Sequence, residues 1–232
     1  MGASYFITGT DTDCGKTIIT LGFMQRFQLE GVVVTGMKPV ASGSERTSGG
    51  LINGDAAQIL KQSTNRPDYE WVNPYAFEPA IAPHLAAQAC GREIDIQVIM
   101  ACYRKLSKTA DIVLVEGVGG WHVPLSDHCL LADLPVVMNT PVIMVVGMRL
   151  GCINHSLLTQ DAIRAAGCNL VGWVANTVDP TMREFEGNLQ TLKQRIAAPL
   201  LGVVPYLKTT YPQEVAQYLR LPIPSDHRRN GL

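Results

Sequence analysis

Residues 9–17 read Gly9-Thr10-Asp11-Thr12-Asp13-Cys14-Gly15-Lys16-Thr17, and this stretch decides the fold. Ahead of it runs an apolar, β-branched segment, Ser4 to Thr8. Behind it lies a helical pattern from about Lys16 to Glu30, closed by Gly31 just past the helix end. A loop of this kind between a buried strand and a helix curls its backbone N–H groups around phosphate oxygens. The helix N-terminus adds partial positive charge, Lys16 reaches the β and γ phosphates, and the Thr17 hydroxyl is placed to bind Mg²⁺. The spacing departs from the usual phosphate loop, since Thr10 stands five places before Gly15 and the first glycine comes one place earlier. The strand–loop–helix context nevertheless predicts phosphate binding.

Outward from the loop, short apolar runs alternate with longer helical patterns, which is the signature of a parallel sheet covered on both faces. Strands are expected at Val32 to Met37, Asp111 to Glu116, Pro141 to Gly147, Leu170 to Ala175 and Leu201 to Val204. Helices are expected from about Asp55, over Ala82 to Ala89, over Asp95 to Ser107, from about Asn154, over Arg183 to Ile196, and around Glu214. The helix after Asn154 is read with Leu157, Leu158, Ala162 and Ala165 on its apolar face. A Ser-, Gly- and Asn-rich stretch from Ala41 to Gly54, and a proline-punctuated one through Pro67, Pro74, Pro79 and Pro83, read as irregular excursions. The fold class is α/β: a single doubly wound, mostly parallel sheet, P-loop NTPase-like. Residues 1–221 are read as one domain and 222–232 as a disordered polar tail.

The 232 residues are 47% hydrophobic and 17% charged, so a large core is available and a disordered chain is excluded. Nineteen Lys and Arg against twenty Asp and Glu give a net charge of −1 without like-charge runs. That balance disfavours a nucleic-acid surface or a membrane anchor. The apolar run from Pro141 to Met148 is far short of the ~18–20 residues that span a bilayer. The six cysteines form no CxxC pair, the five histidines form no zinc pattern, and the start has no signal-peptide character. A cytoplasmic protein is expected.

Further candidates follow from topology. In a right-handed β-α-β unit the C-terminal ends of both strands share one edge, so Lys38 should lie near Lys16. Asp55 follows a Gly-bearing loop and Glu116 ends the buried strand D-I-V-L-V-E. With Thr17, they make an oxygen set suited to Mg²⁺, although Asp55 taken alone reads more readily as a helix N-cap than as a ligand. Gly117-Val118-Gly119-Gly120 lets a ligand approach the backbone closely. Gly151-Cys152-Ile153-Asn154-His155 opens a helix and offers free N–H groups, or is simply capped by Asn154.

Taken together, these segments resemble the dethiobiotin synthetase family. The resemblance is carried by F-I-T-G-T-D-T-D-C-G-K-T (6–17), K-P-V-A-S-G-S-E (38–45), N-G-D-A (53–56), N-P-Y-A-F (73–77), V-L-V-E-G-V-G-G-W (113–121) and V-V-G-M-R-L-G-C-I-N-H (145–155). It implies an ATP- and Mg²⁺-dependent ring closure in biotin synthesis, joining CO₂ to the two amines of 7,8-diaminopelargonic acid. One amine captures CO₂ as a carbamate, a carbamate oxygen attacks the γ-phosphate, and the second amine closes the ureido ring and expels phosphate. The resemblance assigns Thr12, Lys38, Ser42 and Gly119 to the diamine and its carbamate, with Lys16 at the phosphates. It assigns ATP to Asp13, Cys14, Gly15, Lys16, Thr17, Ile18, Asp55, Glu116, Gly117, Val118 and Gly119. Asn176, Thr177, Pro205, Tyr206, Leu207 and Gln213 are assigned to the adenine and ribose. It further implies a homodimer in which Cys152, Ile153 and Asn154 meet the carboxylate tail of substrate bound mainly by the other subunit. Gln213 departs from the family, which often has Glu after that proline. Asp11 stands where the related partitioning ATPases carry a lysine.

Overall fold

The computed structural model describes residues 2–222, so the tail expected over 222–232 falls, apart from Pro222, outside the described residues. In chain order the elements are β1 (Ala3–Gly9), α1 (Lys16–Leu29), β2 (Val34–Met37), β3 (Val40–Ala41), β4 (Glu45–Thr47) and β5 (Gly50–Ile52). Next come α2 (Gly54–Gln62), α3 (Tyr69–Val72), β6 (Tyr75–Ala76), α4 (Pro83–Ala89), α5 (Ile96–Ser107) and β7 (Ile112–Glu116). The chain continues through α6 (Asp133–Met138), β8 (Val142–Met148), α7 (Cys152–Ala165), β9 (Leu170–Thr177), α8 (Phe185–Arg195), β10 (Leu200–Val204) and α9 (Pro212–Ala216).

Six strands form the central sheet in the order β10-β9-β8-β1-β7-β2, and every pairing in it is parallel. The strand period of two sorts the side chains to opposite faces. Tyr5, Ile7, Leu114, Ile143 and Val145 pack with α1, α2 and α9 residues on one face. Phe6, Val113, Val115 and Val142 face the other way, toward Ile99 and Leu106 of α5, while Met144 and Val146 meet Leu189 and Leu192 of α8. Burying each such Val, Leu, Ile or Phe side chain contributes about 1.5–3 kcal/mol. The doubly wound α/β expectation is met.

Three local readings are corrected. The stretch 41–54 is not wholly irregular, because β4 and β5 pair as an antiparallel hairpin while β3 pairs with β6. α7 begins at Cys152, with Gly151 as its N-cap in the left-handed region at φ 96°, so Asn154 lies inside the helix rather than capping it. The buried face of α7 consists of Cys152, Ser156, Thr159 and Ile163, whereas Leu158 is 62% exposed. Close packing against the sheet admits small side chains there and turns the leucine outward.

Candidate active site

β1 delivers the loop, whose start is tied to β8 by a bond from Thr10 N–H to the Val145 carbonyl at 3.0 Å. Asp13 (φ 57°) and Gly15 (φ 89°) both sit in the left-handed region, the double bend that turns the chain into α1. A Cβ at Gly9 would collide with Cys14 Sγ, so a residue without a side chain is needed for Cys14 to pack beneath the loop, fully buried. Lys16, the first residue of α1, is itself buried and folds back so that Nζ donates to the Asp11 carbonyl at 3.0 Å.

β2 and β7 are neighbours with Met37 opposite Val115, which puts the residues just beyond them, Lys38 and Glu116, at adjacent strand ends. Lys38 Nζ donates to Glu116 Oε1 at 2.6 Å and to Asp55 Oδ2 at 2.9 Å. Thr17 Oγ1 donates to the same Glu116 Oε1 at 2.7 Å. Burial alone would pull the Lys38 ammonium pKa down, but the charges and hydrogen bonds of Glu116 and Asp55 outweigh it and the pKa is raised. Burial pushes the Asp55 carboxyl up, and the Lys38 charge, the Lys38 and Thr17 hydrogen bonds and the Lys16 charge bring it below the usual range.

A cleft of about 900 Å³ opens over this cluster. Thr12, Asp13, Gly15, Lys16, Thr17 and Ile18 line it from the loop, Lys38, Ser42 and Asp55 from the second strand and beyond, and Val118 and Gly119 from the segment after β7. Glu116 is fully buried, and Gly117 hydrogen-bonds back into the sheet through Ile7. Asn176, from the end of β9, donates from Nδ2 to the Cys14 carbonyl at 3.0 Å and so braces the loop from outside the cleft. Thr177, Pro205, Tyr206, Leu207 and Gln213 stand at or beyond the ends of β9 and β10 on the same sheet edge, without lining the cleft. Cys152, Ile153 and Asn154 form the first turn of α7 and are not brought to the cleft within this chain.

Two buried polar atoms at the cluster lack partners, Glu116 Oε2 and Ser42 Oγ. An unpartnered buried carboxylate oxygen beside Thr17 and Asp55 fits a hard divalent ion. Among the described residues no group of three or more His, Cys, Asp or Glu side chains forms a cage by itself. Such an ion would therefore draw further ligands from phosphate and water, as Mg²⁺ does.

The sequence reading missed Arg149, whose guanidinium pairs with the Asp11 carboxylate and donates to the Thr12 carbonyl at 3.3 Å. It also missed the apolar wall of Ala80, Ile81, Ala82 and Val123 across the cleft. Arg149 lies within the 145–155 segment, but its pairing with Asp11, like the apolar wall, depends on which loops fold over the sheet edge.

The chain matches the AAA domain family over residues 3–214. It is 48% identical over 219 residues to the ATP-dependent dethiobiotin synthetase of Aromatoleum aromaticum, covering 94% of this chain and 97% of the relative. It is 49% identical over 218 residues to the protein of the same name from Cellvibrio japonicus, covering 94% and 96%. The chain belongs to the ATP-dependent dethiobiotin synthetase family. Among solved structures it resembles a ParA family ATPase from Chlorobium tepidum, with a TM-score of 0.58, 12% identity and 94% and 98% of the two chains covered. It also resembles the septum site-determining protein MinD from Pyrococcus horikoshii, with a TM-score of 0.56, 12% identity and 94% of each chain covered. At that identity the likeness shows the shared fold alone. In this dethiobiotin synthetase family member the acid at position 11 is held by Arg149.

Proposed function

We propose that the chain is an ATP-dependent dethiobiotin synthetase of the cytoplasm, working as one unit over the described residues. The reaction closes the ureido ring by inserting CO₂ between the two amines of 7,8-diaminopelargonic acid, with ATP converted to ADP and phosphate. The observation that carries this reading is the convergence of Lys16, Lys38, Thr17, Asp55 and Glu116 on one cleft. The names of the two relatives, both ATP-dependent dethiobiotin synthetases, support it.

The chain's residues divide the work by charge. The left-handed turn at Gly15 and the N-terminus of α1 present N–H groups to phosphate oxygens, and Lys16 exchanges the Asp11 carbonyl for the β and γ phosphates. Thr17, Asp55 and Glu116 would hold Mg²⁺, which supplies neutralisation of the phosphate charge when bound with ATP. Lys38 would hold the carbamate anion while a carbamate oxygen attacks the γ-phosphorus and ADP leaves with the electron pair of the broken β,γ-bridging P–O bond. The unpartnered Ser42 hydroxyl donates to a carbamate oxygen, and Thr12 faces the diamine. The second amine then attacks the carbamoyl carbon, and phosphate leaves with the pair of electrons. Catalysis is mostly positioning and charge stabilisation. The apolar wall of Ala80 to Ala82 suits the aliphatic chain between amine and carboxylate. A homodimer would bring the first turn of α7 from the second subunit to that carboxylate.

The test is purified protein with the diamine, bicarbonate and Mg·ATP. Phosphate release that requires both diamine and bicarbonate is expected. Release indifferent to the diamine would overturn the reading.

A further inference from the structure

Lys38, Ser42 and Asp55 come from three separate segments, the ends of β2 and β3 and the first turn of α2. No regular sheet or helix bond fixes their mutual spacing. A chain of side-chain hydrogen bonds does. Asn73, 4% exposed, donates from Nδ2 to the Lys38 carbonyl at 2.6 Å. Its Oδ1 accepts from the Tyr69 hydroxyl at 3.0 Å, and that hydroxyl in turn accepts from the Asn53 backbone N–H at 2.8 Å. Asn53, 6% exposed, accepts at Oδ1 from the N–H groups of Asp55 (3.1 Å) and Ala56 (3.2 Å). Its Nδ2 donates to the Ser42 carbonyl at 3.3 Å. One further bond, from Lys38 N–H to the Val72 carbonyl at 2.8 Å, ties the same lysine to the end of α3.

We propose that Asn53, Tyr69 and Asn73 are positioning residues that together set the spacing of Lys38, Ser42 and Asp55. This rests on the reading of those three as the groups that hold carbamate and metal. Buried amides are retained where their bonds are made, and here most bonds end on a residue of the site or on the next member of the chain, the others on Ala56 and on the Tyr75 carbonyl. Asn53 reaches the edge of the cleft, but its amide is already committed to Ser42 and to α2. The Tyr69 hydroxyl and Asn73 do not line the cleft. Their effect on the reaction therefore runs through the backbone of Lys38 and the cap of α2. The hydroxyl's two bonds give it a fixed direction, accepting from one asparagine and donating to the other. A misplacement of about 1 Å among reacting groups lowers turnover by as much as 10²-fold.

The experiment uses the full chain with Tyr69→Phe, Asn73→Ala, the double variant, and Leu192→Ala as a core control far from the site. Tyr69→Phe is expected to lower kcat about tenfold, within the range such misplacement covers, while calorimetric Mg·ATP affinity stays within about twofold. The double variant should be no slower than the slower single variant, because the bonds act in series. Leu192→Ala should lower the melting temperature and leave kcat unchanged. Losses of kcat that track melting temperature across all four proteins, or that add in the double variant, would overturn the proposal. A crystal structure of Tyr69→Phe reads the same proposal without turnover, through a lengthened Lys38–Asp55 separation. An unchanged separation would sink it. If the wild-type protein shows no diamine-dependent phosphate release, the activity reading fails, and the crystal comparison alone decides the positioning role.

Discussion

Glu116 holds a carboxylate with no solvent exposure, and one of its oxygens accepts from both Lys38 and Thr17. Removing one member of a buried ion pair costs about 3–5 kcal/mol, because the other charge is left uncompensated. Lys38→Met is therefore expected to abolish turnover and also to lose stability in that range in urea denaturation. Adding Glu116→Gln should recover most of the stability and none of the activity. The two shifted groups bound the pH range of the cluster. The Asp55 pKa is lowered, so its contribution is present above the ordinary carboxylate range and lost as pH falls through the lowered value. The Lys38 pKa is raised, so its contribution persists through neutral pH and disappears as pH rises through the raised value. Cys129 offers a cleaner titration away from the site. Burial, then the charge and hydrogen bond of Asp133, push its thiol up to about 11. Its folded-state stabilisation is fully present below the ordinary thiol pKa and is lost as pH rises from there through about 11. Alkylation followed by mass spectrometry should show the Cys129 rate still climbing between pH 9 and 11, and a plateau near 9 would contradict the assignment.

α2 carries Asp55 into the cleft, and its distance from β2 is set by Gly36. A Cβ on that glycine would run into Ile59 Cγ2 and crowd Met24 Sδ at 3.1 Å. Gly36→Ala is expected to cost about 1–3 kcal/mol through overpacking, and to weaken Mg·ATP binding in calorimetry as α2 is pushed away. Ile59→Ala in the same chain should relieve part of both losses. Elements such as β1, α1, β7 and β8 were legible in the sequence because strand length, β-branched content and terminal glycine all agree there. Gly31, read as closing α1, does sit at φ 76°. α6 was not legible, since Pro135 within D-L-P-V-V-M reads as a breaker. In the structure Pro135 falls in the first turn, where its missing N–H is not needed. The α7 face failed for another reason: apolar character was taken for burial, although Ser156 and Thr159 occupy the buried positions. At the site, Lys38 and Glu116 could be placed together because strand ends on one edge must converge, whereas Asp55 was read from its place after a Gly-bearing loop and comes from α2. Asn53 and Asn73 stood in motifs whose purpose only the hydrogen bonds reveal, and Tyr69 stood in none.

For the molecule as a whole, the proposed homodimer gives a direct expectation. Leu150 is 94% exposed and Leu158 62%, on and just before α7, the helix whose first turn is assigned to the second subunit. Leu158→Arg should shift sedimentation toward the monomer and reduce turnover with Mg·ATP affinity retained. Unaltered association would argue that the two subunits meet elsewhere. Among the described residues no helix is long and apolar enough to cross a membrane. The sheet order also governs how the chain reaches its final form. β1, which delivers the phosphate loop, is made long before its partners, which begin at Ile112 and Val142. A polypeptide emerging from the ribosome therefore carries Phe6 and Ile7 with both hydrogen-bonding edges bare until Ile112 and the residues after it have been translated. Such late pairing slows folding and leaves apolar strands open to wrong partners. Chaperone dependence during synthesis, and aggregation of fragments truncated before Val142, follow from the placement of that one strand at the centre.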